Sequence, residues 1–263
     1  MLVSRMQKLA LSLAVSACVL CLSTATQAAK PVAEKVELFA AMQADQIEVK
    51  FVPKDATQAT VVIKNKTKQP LSIQMPRAFA GIPVLAQNNN NNGGGGRNNG
   101  GGNSTNSQQS MGGGMMGGMG GMGGMGMGGF FDVAPERAGK IKVATVCLEH
   151  GKLDPNPRVA YELRPITDFT NDAAVAEVCS LLGAGKLDQS TAQAAAWHLT
   201  DGLTWEELAN KVKVKHLNGT VEMYFNAQQL HIANQVARIA RENAEKARTV
   251  SPGEEADSLA GTR

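Results

Sequence analysis

The sequence predicts an α+β chain: a small Ig-like antiparallel β-sandwich followed by a helical module, with a long disordered loop and tail. Three observations predict it. Between residues 47 and 163, outside one long tract, apolar and polar residues alternate in short runs, as in strands with one buried face. From about residue 166 the apolar period becomes helical. Residues 88–129 are almost entirely Gly, Asn, Met, Ser and Gln, a composition with too little apolar surface for a core of its own.

The chain of 263 residues opens on an export signal, residues 1–29. Arg5 and Lys8 precede the uncharged run Leu9–Leu22, and Ala25-Thr26-Gln27-Ala28-Ala29 supplies small residues for cleavage. A helix over that run would span about 21 Å, short of the roughly 30 Å hydrocarbon core. A competing reading is a lipoprotein signal, because Val15-Ser16-Ala17-Cys18 resembles a lipobox; the apolar run continuing to Leu22 speaks against it. Without the signal, the insertion and the tail, roughly 170 residues remain to build a core.

The sandwich is expected over residues 30–165. Ile47, Val49 and Phe51 alternate with Glu48 and Lys50, and Val61 and Ile63 continue the pattern. The polar turn Asn65–Pro70 leads to Leu71, Ile73 and Met75, so the two runs it joins read as an antiparallel hairpin. Ile141, Val143, Thr145 and Cys147 form one later strand face; Val159, Tyr161 and Leu163 form another. Neither side of the tract 88–129 has enough strands alone, so that tract reads as a disordered insertion in one sandwich.

The helical module is expected over residues 166–249. Asn171-Asp172 caps a helix carrying Val175, Val178, Cys179 and Leu182, and Asp188 caps a second, Gln189–Leu199. Thr204-Trp205-Glu206-Glu207 is a capping box opening a third helix to about Val212. Asn226 caps the longest, with Leu230, Ala233, Val236, Ala237, Ala240 and Ala244 at helical spacing. Residues 250–263 are polar and read as a disordered tail.

Composition excludes some functions. There are 26 basic and 23 acidic side chains, and Arg5 and Lys8 leave with the signal, so the mature chain is almost neutral and has no field to gather nucleic acid. No segment after the signal is long and apolar enough to span a membrane. No nucleophile elbow, His-Glu-x-x-His motif, P-loop or dinucleotide fingerprint is present. The expectation is an exported, non-enzymatic structural or adhesion-type protein of the periplasm or cell surface, with a protein or cell-surface partner and no cofactor.

Candidate chemistry gathers at Cys147. With Cys18 and Cys21 in the signal, Cys147 and Cys179 remain in an oxidising compartment, and a disulfide between them would close a loop of about 33 residues. A zinc site from Cys147, His150, Cys179 and His198 is an alternative with irregular spacing. The insertion holds seven of the twelve methionines: Met111, Met115, Met116, Met119, Met122, Met125 and Met127. Thioethers are soft ligands suited to Cu(I), so these seven are the copper-binding alternative to a plain disordered loop.

Two resemblances add to this. Gln193-Ala194-Ala195-Ala196-Trp197-His198-Leu199-Thr200-Asp201-Gly202 resembles the glutamine motif of surface thioester domains. That likeness implies an internal thioester between Cys147 and Gln193 that captures nucleophiles on a partner surface. It covers about a dozen residues, and Val146 stands where the family has an aromatic residue or Leu. The segments Thr145–Lys152 and Gln193–Leu199, with the Gly-rich insert, are also similar to a group of secreted bacterial proteins. This second likeness implies export and a shared fold, and nothing about chemistry.

Overall fold

The computed structural model describes residues 32–84, 107–115, 125–126 and 129–250. The signal with Cys18, the tail after residue 250, and Met116, Met119, Met122 and Met127 lie outside the described residues.

Strand β1 (Glu34–Glu37) runs into a short helix, α1 (Leu38–Gln43), whose first turn is capped by the Glu37 carboxylate accepting from Ala40 N–H at 2.8 Å. The alternating text then becomes β2 (Ile47–Pro53) and β3 (Gln58–Asn65), an antiparallel hairpin paired from Ile47↔Asn65 to Pro53↔Ala59. Asp55 ties its turn, accepting from the Thr57 amide (2.8 Å), the Thr57 hydroxyl (2.7 Å) and the Gln58 amide (3.0 Å). The chain continues through β4 (Leu71–Gln74), β5 (Phe79–Pro83), β6 (Met111–Gly113), β7 (Met125–Gly126), β8 (Phe130–Val133), β9 (Ala138–Cys147) and β10 (Tyr161–Pro165).

Six of these strands close on themselves in the order β10-β2-β3-β9-β6-β5, every pair antiparallel. Phe51, Val61, Ile63, Phe79, Met111, Val143 and Leu163 belong to their shared apolar core. A second sheet, β1-β4-β8-β7, adds Leu71, Ile73, Phe131 and Val133 to the same core. The expected sandwich is therefore corrected to a closed six-stranded barrel with a smaller sheet beside it, within an α+β chain. Period-two alternation buries one face of a strand in either architecture, so it could not separate them; barrel closure removes the edges a sandwich would leave open.

The turn at Asn65–Pro70 is also corrected. It joins two sheets and is not a hairpin: β3 pairs with β2 and β9, while β4 pairs with β1 and β8. Asn65, fully buried, holds this crossing by donating to Gln69 O (2.7 Å) and Val133 O (3.1 Å) and accepting from the Thr67 amide and hydroxyl (2.8 Å each). All four bonding sites of its amide are filled.

The helices follow: α2 (Ala173–Gly183), α3 (Gln189–Thr200), α4 (Trp205–Ala209) and α5 (Ala227–Val250). Their caps are those the sequence names. Asp172 accepts from Ala174 N–H, Asp188 from Thr191 N–H, and Thr204 with Glu207 forms the capping box. Asn226 and Gln229 exchange the same reciprocal bonds at 2.8 and 2.9 Å. Helices α2 and α3 pack on β9 through Val146, Leu148, Val175, Val178 and Ala195, and the stripe Ala233, Ala237 and Ala240 of α5 is buried. Helix α4 ends at Ala209, and Val212 instead begins β11 (Val212–Lys215), which pairs with β12 (Val221–Met223). Among the described residues no helix is long and apolar enough to cross a membrane.

Candidate functional site

Strand β9 outruns its neighbour. Its pairing with β3 ends at Ala144↔Gln58, with one more bond from the Thr145 amide to Thr57 O at 2.9 Å. Two residues further on, the same edge presents the N–H and C=O of Cys147 with no strand left to meet them. Helix α3 supplies the partner: Gln193 accepts from Cys147 N–H through Oε1 at 2.8 Å and donates through Nε2 to Cys147 O at 2.8 Å. One helical turn earlier, Gln189 donates to Thr145 O at 3.1 Å. Two glutamines four apart share a helix face, so together they finish a sheet edge that would otherwise be buried unsatisfied.

The residues of the thioester reading are thus brought together, sealed at about 1% exposure each, with the amide bonded to the cysteine's backbone. The thiol lies within 3.9 Å of Ala56 O, toward which it donates. Burial first, and then the charges of Asp154 and Asp55, push that thiol well above the ordinary range.

Cys179 is also a buried free thiol, pushed up to about 12 by burial. Both sulfurs are unpaired in this structure. Cys179 Sγ lies on the face of β9 that carries Val146 and Leu148, against Gly112, the partner of Val146. Cys147 is one residue on, so strand alternation turns it to the other face, opposite Met111 of β6.

The histidines of the zinc reading are separated as well. His150 takes a contact of 2.6 Å from Lys211 Nζ and stands edge-on to Trp197. His198 stacks on Trp205 with centroids 4.3 Å apart and bonds Leu203 O at 2.8 Å through Nδ1. Among the described residues no group of three or more His, Cys, Asp or Glu side chains could hold a metal ion.

Part of the tract 88–129 lies among the described residues, and there it belongs to the fold. Ser107–Met115 is built into the molecule: Met111–Gly113 is the barrel strand between β5 and β9, and Tyr161 OH donates to Gln109 O at 2.9 Å. Met111 and Met115 are buried packing residues, so two of the seven copper candidates are committed to the core. The glycines have steric work here. A Cβ on Gly112 would sit 2.7 Å from Cys179 Sγ, and one on Gly114 would sit 2.4 Å from Arg77 O and 2.7 Å from Cys179 O. Helix α2 can press on this segment because Gly112 and Gly114 carry no side chains.

Sequence reasoning missed the hairpin β11–β12. Asn218-Gly219 between Val212, Val214 and Val221, Met223 is a hairpin signal, in a stretch between the third and fourth helices where no element is expected. Its base is anchored. The Tyr224 amide donates to Lys211 O at 2.8 Å, and Lys211 Nζ lies 5.1 Å from the Trp197 ring and 5.8 Å from the Tyr224 ring. Tyr224 packs on Trp197 and on buried Phe225.

Beyond that base every residue of both strands is exposed. The exposures are 37% for Val212, 39% for Val214, 48% for Val221 and 40% for Met223, and Leu217 at the tip is bare at 110%. A register shift between Val212 and Val214 places Val212, Met223, Val221 and Lys215 on one face, with Val214 and Glu222 on the other. Five large apolar side chains within twelve residues therefore face water.

Comparison with protein-family models, curated proteins and solved structures finds no match to the chain.

Proposed function

We propose that the chain is an exported, non-enzymatic interaction protein of the periplasm or cell surface. The observation that carries the reading is the hairpin β11–β12. A free-standing two-stranded hairpin is marginal in water, and this one leaves an apolar face uncovered on a firmly rooted base. The positive, apolar and small-residue regions of residues 1–29 support export. The test is to replace residues 213–222 by a short Asn-Gly turn and fractionate cells expressing both forms. The full chain is expected in the envelope fraction and the truncated chain in the soluble one, with equal thermal unfolding. Equal distribution of the two forms would sink the reading.

The contact between Cys147 and Gln193 favours a second reading, the internal thioester. Cys147 Sγ would add to the Gln193 carboxamide carbon, the C–N bond would break, and ammonia would leave with the thiol proton. An amine on a partner would then open the thioester, forming an amide and returning the thiol. Cys147 N–H already bonds the oxygen on which charge would develop, which supports the reading. The raised thiol weighs against it. Intact mass of the exported protein decides: loss of ammonia means thioester, loss of two hydrogens means disulfide. Full mass with two thiols that alkylate only after unfolding is expected for the buried free pair.

A further inference from the structure

We infer that the tip of the β11–β12 hairpin docks on an anionic lipid surface. The inference rests on the interaction reading above and names the partner.

The tip has a fixed shape. His216 N–H donates to Thr220 O at 2.9 Å and Gly219 N–H to His216 O at 3.0 Å, with Gly219 at φ +83° as the turn requires. Asn218 Oδ1 also accepts from the Thr220 amide and hydroxyl at 3.0 and 2.7 Å. This turn presents Leu217 wholly outward on a hydrogen-bonded backbone, so little backbone freedom is lost when it enters a bilayer interface. Behind it stand Lys213, Lys215 and His216, whose long or amphipathic side chains keep their polar ends at headgroup level while the stems follow Leu217. Glu222, paired with Lys213 at 2.8 Å, is the only acid on the two strands and their turn. The surface is thus apolar at its point and basic around it, complementary to a negatively charged, apolar-cored partner.

The other occupants fit less well. A second copy adding its strand edge would set Lys213 and Lys215 against the same lysines, the arrangement that edge strands use to resist pairing. An acidic protein segment laid along either strand would cover Val212, Val221 or Met223 and leave Leu217, the most exposed of the five, in water. Only a surface met end-on covers the tip.

The purified mature chain is mixed with vesicles of phosphatidylcholine alone and with added phosphatidylglycerol, and sedimented. Binding is expected only to the anionic vesicles, and salt should weaken it. Lys215→Gln should lower affinity about fivefold, as for one lysine lost at an anionic surface, and Leu217→Asn about tenfold, as for one apolar side chain not inserted. Equal sedimentation with neutral vesicles, or unchanged affinity in both variants, overturns the inference. If no vesicle binds the wild type while hairpin truncation still frees the protein from the envelope, the partner is a protein: the lipid inference falls and the interaction reading stands. If truncation frees nothing, both fall.

Discussion

Both polar atoms of Gln193 go to the backbone of one residue, and what they satisfy cannot reach water. Gln193→Ala should therefore leave Cys147 N–H and C=O buried and unpaired, destabilising the fold by about 2–4 kcal/mol in urea unfolding. Gln193→Glu keeps an acceptor for Cys147 N–H, loses the donor to Cys147 O and buries a charge, so it should be no milder. His150 makes a pH prediction at the same scale. Burial and then the Lys211 charge hold its imidazole below the ordinary range, against opposing pulls from Asp201 and Glu207. The neutral ring is thus favoured by the fold, and an unfolded chain binds that proton more readily. Stability from this site is present above the unfolded value near 6.5, and it is lost as pH falls through the folded value. Between pH 7 and 5 the wild type should lose more stability than His150→Gln, in which the side-chain oxygen still accepts from Lys211. Equal losses would show that the contact does not titrate.

At the scale of the element, β6 shows how a sequence without strand character becomes a strand. Met111-Gly112-Gly113 has no alternation and low β-propensity, but its backbone pairs on both sides, with β5 and with β9. The neighbour, not the residues, makes it extended. Gly112→Ala should cost about 1–3 kcal/mol, because the new methyl meets side-chain atoms of Cys179 and Leu148 that can shift. Gly114→Ala meets the carbonyls of Arg77 and Cys179, which cannot yield without moving β6 or α2, and thermal unfolding should rank it clearly below Gly112→Ala. The helices lie at the opposite extreme: Asp172, Asp188 and the Thr204–Glu207 box are local signals, and each caps where its spacing says. The exception is the third helix. Val212, where it is expected to end, fits either a helix or a strand, and the pairing of Val212–Lys215 with Val221–Met223 decided for the strand.

For the whole molecule the decisive event is closure. Strand β10 pairs with β5 along five residues and meets β2 at Tyr161↔Phe51, while β6 bridges β5 and β9. Deleting residues 107–115 should reopen the barrel between β5 and β9, exposing two strand edges and giving an aggregating product by size-exclusion chromatography. Shortening the polar stretch 90–100 should change unfolding free energy by less than about 1 kcal/mol, since closure entropy varies slowly with loop length. Equal outcomes for the two deletions would contradict the role given to β6. The candidate site divides in the same way. Cys147 and Gln193 could be named together from the sequence, whereas the way they meet depends on where β3 stops. The hairpin surface was concealed, because exposure of Val212, Val221 and Met223 is a property of what fails to pack on them.

The sequence by itself determined the α+β class, the strand faces and the helix caps. Each is written in residues close enough along the chain to touch or to share a period. The tertiary structure alone decided that the sheet closes into a barrel, that glycines from the insertion complete it, that the two thiols face opposite sides of one strand, and that a hairpin stands uncovered. These depend on partners tens of residues apart, and alternation, propensity and spacing say only which side of a strand is apolar, never what it will meet.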